Sequence, residues 1–415
     1  MSRYRFYILP FTDTGAYQNN FIEITNDVLE NSIGSLSEQT SFDDYNIGIF
    51  KFNSFNLTLN NIHGKYSEPD QPRSIFRRTR NDCIVRITWS ASDDISECGN
   101  AECGNTFTNI ETTIYEGLLV DETAGFDINQ QQLKFQVIGF ESLFDRVVSP
   151  PIDIFSGLWD DFIYQQLNDP VITNILTVDM ANINTTITGS LNDSSVYEGN
   201  LVTDTLQKLL LYSNSSLYIK DRVVYVISRI ASIDLKYSFY GVASDLGIEN
   251  ANNIINVKAG VNKLFNKIRI ESSFSSTDTP PTIYEVQDNT SIDNYGLFYK
   301  VISVEGFGGI AELTDMANSY LDEYGFPKVE LDLTTRFWYD TLDLNFMDRV
   351  NIDYPAELTA EYGAVLPIFG VAIFGVDRFP YGKWHYVITQ DKNFKILNKQ
   401  IDFKNQTITF KLREI

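Results

Sequence analysis

The sequence predicts a mainly β protein of the α+β class, and three observations carry that expectation. Phe and Tyr are abundant and Ile is frequent, with aromatics at 13% of the 415 residues, a composition that suits pleated, half-buried surfaces. Apolar residues recur mostly at a period of two, as where Val329, Leu331 and Leu333 alternate with Glu330, Asp332 and Thr334. Helical spacing is confined to a few short stretches. Hydrophobic residues at 43% are enough to fill real cores, so disorder is not the default.

Residues 1–150 read as one β-rich unit, with strands expected at Arg3–Leu9, Ile47–Leu59, Ile84–Trp89, Thr113–Val120 and Leu133–Gly139. Polar, turn-rich links separate them, notably Ser67–Arg73 and Asp93–Asn105. A short helix over Phe140–Val148, with Leu143, Phe144 and Val147 on one face, closes the unit before Ser149-Pro150-Pro151 breaks the chain.

Residues 151–250 are mixed and predict a small α/β module. Leu158, Phe162, Ile163 and Leu167 mark one helix, ending before Asp169-Pro170. Asp204 is the expected cap of a second, with Gln207 three residues on and Leu206, Leu209 and Leu210 as its buried face. Ser215–Lys220 and Val223–Ile227 about Asp221-Arg222 predict a hairpin.

Residues 251–415 return to strands at Ile254–Val257, Lys267–Ser272, Ile283–Val286 and Leu297–Val304, a block expected to share a sheet with the C-terminal strands. Ile310, Leu313, Ala317, Leu321 and Tyr324 at helical spacing predict a helix over Ile310–Tyr324. Gly309 can open it, and Gly325 with Pro327 stops it. Strands follow at Val329–Thr334 and Arg349–Tyr354. A closing hairpin turns near Asn405, with Ile408, Phe410 and Leu412 on one face, and its terminal strand is expected to be pinned into a sheet.

The formal charge of −23 disfavours a Lys/Arg grip on phosphate backbones. It suits ordinary solubility first, and would also suit a part that nucleic acid must slide past. No secretory leader is visible, and the most apolar run, Ala364–Val376, is short and interrupted by Pro367, Gly370 and Gly375. The expectation is a soluble protein made in a cytoplasm, where Asn-x-Ser/Thr at Asn56, Asn214 and Asn405 has no glycosylation role.

Catalytic motifs are weak. His63 sits in a turn and His385 at a strand edge, neither in a nucleophile setting. Cys83, Cys98 and Cys103 fall short of four metal ligands, so no metal is expected. Cys98 and Cys103 would pair only in an oxidising medium. The doublets Asp43-Asp44, Asp93-Asp94 and Asp160-Asp161 are what solvated faces of an acidic chain contain, and a paired-carboxylate hydrolase would need a set separation. Gly306-Phe307-Gly308-Gly309 lacks the basic residue of a phosphate cradle and reads as a strand-to-helix turn. No catalytic residue and no cofactor is assigned.

One stretch stands out. Val365, Leu366, Ile368, Phe369, Val371, Ile373, Phe374 and Val376 form a near-continuous apolar run within Gly363–Tyr381. It is either an exposed binding patch or a buried hairpin. Its flanks, Tyr362 and Arg378-Phe379-Pro380-Tyr381, have the character of an interface rim.

Three passages resemble the baseplate hub (tail tip hub) proteins of tailed bacteriophages. Tyr115-Glu116-Gly117-Leu118-Leu119-Val120, followed by Leu133–Gly139 and Phe140–Val148, is similar to the close of a first hub barrel. Leu201–Tyr212 leading into Leu217–Arg229 resembles the helix and hairpin between hub barrels. Met347-Asp348-Arg349-Val350-Asn351-Ile352 stands where hubs often have Gly-Asp-x-Val, with Met347 in place of the glycine. The resemblance implies two β-barrel tube-like domains with the α/β module between them: 1–150, 151–250 and 251–415. It further implies a virion protein of the phage tail tip, assembled in the host cytoplasm and architectural rather than catalytic. Three chains would form a homotrimeric ring closing the tail tube, with a channel for DNA passage. The implied partners are other copies of the chain, a distal tail or tube protein ring, a central spike or fibre protein and the tape measure protein. Alternatives are a distal tail protein forming a hexameric ring, a receptor- or carbohydrate-binding tail component, and a glycan hydrolase.

Overall fold

The computed structural model describes residues 4–29, 35–42, 47–52, 54–90, 111–127, 131–150, 156–190, 197–229, 234–240, 254–273, 282–305, 310–353 and 392–415. The fold is mainly β, built on two curled half-barrel sheets with few helices.

The first 150 residues supply β1 (Tyr4–Leu9), β2 (Ile22–Glu23), β3 (Ser35–Phe42), β4 (Ile47–Phe52), β5 (Phe55–Asn60), β6 (Ile84–Trp89), β7 (Thr112–Asp127) and β8 (Gln132–Ile138). Six of them form one sheet in the order β2-β1-β6-β7-β8-β5. Its registers place apolar residues opposite one another, Phe6 with Ile87 and Leu57 with Phe135. The expected single strand Ile47–Leu59 is two strands in different sheets: β5 pairs β8, whereas β4 pairs β3. The expected helix after β8 is a 3-10 helix, Phe140–Arg146, which buries Phe140, Leu143 and Phe144.

The module contributes β9 (Ser156–Leu158), α1 (Trp159–Leu167), α2 (Pro170–Thr173), β10 (Ile183–Asn184), β11 (Thr188–Ser190), α3 (Val202–Tyr212), β12 (Ser215–Lys220), β13 (Val223–Ser228) and β14 (Leu235–Tyr240). Asp204 does not cap α3. The cap position is Leu201, with extended backbone and no side-chain bond, and Asp204 lies in the first turn. There its charge still faces the positive end of the helix. Val202 N–H instead donates to the Val147 carbonyl, tying the helix to the end of the first unit. The β12–β13 hairpin forms as expected, with Asp221 at φ 49° and Arg222 at φ 61°. Two left-handed residues match the right-handed twist of the strands.

The remainder supplies β15 (Ile254–Val261), β16 (Lys267–Ser273), β17 (Thr282–Gln287), α4 (Asn289–Tyr295), β18 (Tyr299–Glu305), α5 (Ile310–Tyr324), β19 (Val329–Arg336), α6 (Tyr339–Asp343), β20 (Arg349–Asp353), β21 (Lys392–Asp402) and β22 (Thr407–Glu414). The second sheet has 11 strands along the path β10-β13-β12-β4-β3-β21-β22-β19-β15, with β20 beside β21 and β14 beside β20. Strands from all three stretches of sequence therefore meet in it. Of the block at 254–305 only β15 joins this sheet, because β16, β17 and β18 pair among themselves as a separate three-stranded sheet.

Helix α5 has the predicted bounds. It buries Leu313, Met316, Ala317, Tyr320 and Tyr324 against the three-stranded sheet and the module, each large side chain being worth roughly 1.5–3 kcal/mol out of water. Gly325 ends it, donating to the Leu321 carbonyl. A Cβ at that position would stand 2.4 Å from that same oxygen, which is why the stop is a glycine.

Two large apolar clusters organise the molecule. One gathers the module, the three-stranded sheet and α5. The other is shared by the two half-barrels, with Ile8, Leu57, Val85 and Phe135 from the first and Leu333, Val350 and Phe410 from the second. Tyr4 helps to fasten the half-barrels: its hydroxyl donates to the Phe403 carbonyl, and its ring meets Phe337 and Phe403 edge-on.

Candidate functional site: the joint between the second half-barrel and helix α5

The apolar run Val365–Val376, with Cys98, Cys103, His385 and Gly306–Gly309, lies outside the described residues. His63 is an exposed turn residue. Cys83 is a buried free thiol whose Sγ donates to the Thr79 carbonyl, and burial pushes it up to about 12, so it stays protonated. Of the carboxylate doublets only Asp160-Asp161 is described. Asp160 accepts from the Thr185 backbone N–H and hydroxyl, a tether for the chain entering β11. Among the described residues no group of three or more His, Cys, Asp or Glu is placed to hold a metal ion. None of their helices is long and apolar enough to cross a membrane.

The most concentrated chemistry in the described chain is ionic, and it is buried. Arg349, Lys395, Arg413 and Glu330 occupy one register row across β20, β21, β22 and β19, so their side chains leave the same sheet face. Phe394 and Ile396, on either side of Lys395, point the other way into the shared core. Glu323, near the end of α5, comes down onto this row. Its Oε1 accepts from Arg413 Nη1 at 2.6 Å and from Arg229 Nη2 at 3.4 Å, while its Oε2 accepts from Lys395 Nζ at 2.6 Å. Arg413 also donates to Glu330 at 2.6 Å and lies over the Tyr324 ring. Lys395 adds a bond to the Arg229 carbonyl at 3.1 Å. Side-chain exposures of 1% for Arg229, 2% for Arg413, 4% for Lys395 and 8% for Glu323 mean that water screens these charges little.

Burial alone would favour the neutral acid at Glu323, but Arg229, Lys395 and Arg413 together hold it well below the usual carboxylate range. Lys395 is also pushed down, to about 7. Burial is the largest cause; the pull of Glu323 opposes it, and the neighbouring Arg229 and Arg413 add to the lowering. Chemically this is a clamp rather than a catalytic centre, since its carboxylates are occupied by guanidinium and ammonium groups. It joins the end of the hairpin, the end of α5 and the last two strands.

None of these residues was singled out from sequence. Lys395 and Arg413 sit at the polar positions of alternating strands, which in sequence read as solvent-facing; α5 covers that face.

A cleft of about 350 Å³ lies between β7, the hairpin tip and the α6–β20 connection. Several of its charges are paired with one another. Glu116 pairs with Arg86 at 2.5 Å, with Arg222 at 3.8 Å; Lys220 pairs with Asp343; Lys399 donates to the Leu342 and Leu344 carbonyls. Leu297 and the outward residues Ile283, Tyr299 and Val301 of the three-stranded sheet are exposed apolar groups, interleaved with Lys267, Arg269, Glu271 and Glu285, whose charges pair with one another.

No protein-family model and no curated protein sequence matches the chain. Solved structures do. A tail protein from Neisseria meningitidis MC58 superimposes with a TM-score of 0.51 at 10% identity, over 99% of this chain and 96% of that one. A prophage tail protein from Listeria monocytogenes EGD-e gives 0.49 at 10% identity, over 99% and 94%. The 43 kDa tail protein of prophage MuSo2 from Shewanella oneidensis gives 0.47 at 11% identity, over 98% of each chain. The chain shares the fold of the Neisseria tail protein almost end to end.

Proposed function

We propose that the protein is a structural component of a phage tail and serves as its baseplate hub: a homotrimeric ring that closes the tail tube and joins it to a central spike or fibre. The observation that carries this reading is the end-to-end likeness of fold to a tail protein. The pair of half-barrel sheets in one chain supports it, because three such chains would offer six similar units to a sixfold tube or distal tail ring. In this reading residues 1–150 and 251–415 are the two tube-like domains and 151–250 the module between them. The hairpin of β3 and β4 crosses from the first domain to complete the second sheet. The tape measure protein would end against the ring, and DNA would pass through its bore. A charge of −23 per chain disfavours trapping of phosphate there. The protein would reside at the tail tip of the virion after assembly in the host cytoplasm. The apolar run Val365–Val376 is proposed as a contact with a neighbouring subunit or ring.

The mass of the purified assembly tests the proposal. Three copies of the 47.3 kDa chain support the hub, six support a distal tail ring, and a lone monomer at concentrations well above micromolar counts against both.

A further inference from the structure

The three-stranded sheet turns one face to α5 and the other to water. On the outer face β18 presents Tyr299 and Val301, 44% and 41% exposed, and Leu297 just before the strand is 61% exposed. The backbone is open along the same stretch. β18 pairs β16 in regular parallel register and, among the described residues, has no strand on its other side. Lys267 N–H donates to the Phe298 carbonyl, so Phe298, Lys300 and Ile302 turn their backbone groups toward β16, while Tyr299, Val301 and Ser303 turn theirs away. Glu305 bears out that alternation: its N–H donates to the Tyr212 hydroxyl, and its carbonyl accepts from Tyr197. The module thus caps the end of the edge and stops there. Proline, a bulge or an outward-facing charge would guard such an edge against adding a strand, and none stands between Tyr299 and Ser303. Lys300 turns to the covered face, over the Phe265 ring.

Charge indicates what fits. At −23 the chain as a whole repels another copy of itself. The outer face beside β18 does not, because Lys267 and Arg269 pair with Glu271 and Glu285, and Glu305 at the strand end pairs with Lys208.

We propose that the β18 edge is a contact with a second copy of this chain: two β18 strands add antiparallel about a twofold axis at Val301, joining two three-stranded sheets into one. In that register Val301 faces its own copy and Tyr299 faces the second copy's Ser303. The three open residues of each strand then exchange about six hydrogen bonds, and Tyr299 and Val301 of both copies meet on the outer face. The contact stands apart from the hub reading. It is isologous and closes at two copies, so it doubles whatever assembly the rest of the chain makes.

Sedimentation velocity on the full chain tests it, with wild type, Val301→Asp and Val301→Pro at equal micromolar concentrations in about 0.15 M salt. Asp sets like charges opposite each other across the axis, and Pro removes an outward N–H that an edge strand can spare. Either should weaken association about tenfold or more, so that two copies fall to one, or six fall to three with the hub reading intact. A wild type of one or three copies, or a folded variant of unchanged mass, would overturn the contact; three copies would do so while still supporting the hub. Should neither variant fold, amide exchange on the wild type decides. Exchange at Val301 and Ser303 should slow as protein concentration rises, and rates independent of concentration would equally overturn the proposal.

Discussion

At the scale of the residue, Glu323 is the side chain on which most depends. Replacing it with Gln leaves Arg229, Lys395 and Arg413 crowded without their shared anion, and breaking a buried pair from one side costs about 3–5 kcal/mol. A drop of that size in urea stability is the expected outcome, with Asp322→Asn, on the exposed side of the same helix, nearly silent. Acid acts on the same group. Because the folded chain holds Glu323 below its ordinary value of 4.5, its contribution is fully present above that pH and is lost as pH falls further. Gly325 is a second sensitive position. Ala there meets the Leu321 carbonyl, and the forced shift should lower stability by about 1–3 kcal/mol in thermal or urea unfolding. Met347 explains a departure noticed in sequence. It has φ 63°, a left-handed backbone that glycine adopts without strain. The side chain itself is buried, packed in a small apolar cluster with Phe50, Phe346 and Leu397.

At the scale of the element, what was legible in sequence was local. Helix α5 carries its own periodicity and its own stop, and the β12–β13 hairpin is contiguous, so both appear at their expected places. Strand β3 was not foreseen. Its sequence, Ser35–Phe42, is mostly polar, and it is held by β4 and by β21, more than 350 residues away. Nor could local pattern separate β4 from β5, since their sheets are decided by distant partners. The ionic row failed to show for a related reason: alternation tells which residues leave the core, and says nothing of what covers the other face. The hairpin turn offers a test of the local account. Arg222 is left-handed at φ 61°, and glycine there removes a strain of about 1–2 kcal/mol. Arg222→Gly should therefore raise the thermal midpoint, less whatever its 3.8 Å contact with Glu116 contributes.

At the scale of the whole molecule, the chain is an acidic body whose two half-barrels share one apolar core. That arrangement fixes them relative to each other and suits a part that holds its shape under load. Copies carrying −23 each repel one another, and raising ionic strength shortens the screening length from about 30 Å at 0.01 M to about 8 Å at 0.15 M. Self-association should accordingly strengthen between those salt concentrations, as sedimentation velocity would show. The central claim is tested most directly by the symmetry of the assembled particle, read by electron microscopy together with native mass. The hub account predicts three chains around an open threefold bore, each placing its two half-barrels side by side in the ring. A sixfold ring with one chain per position, or a monomer with no bore, would contradict it.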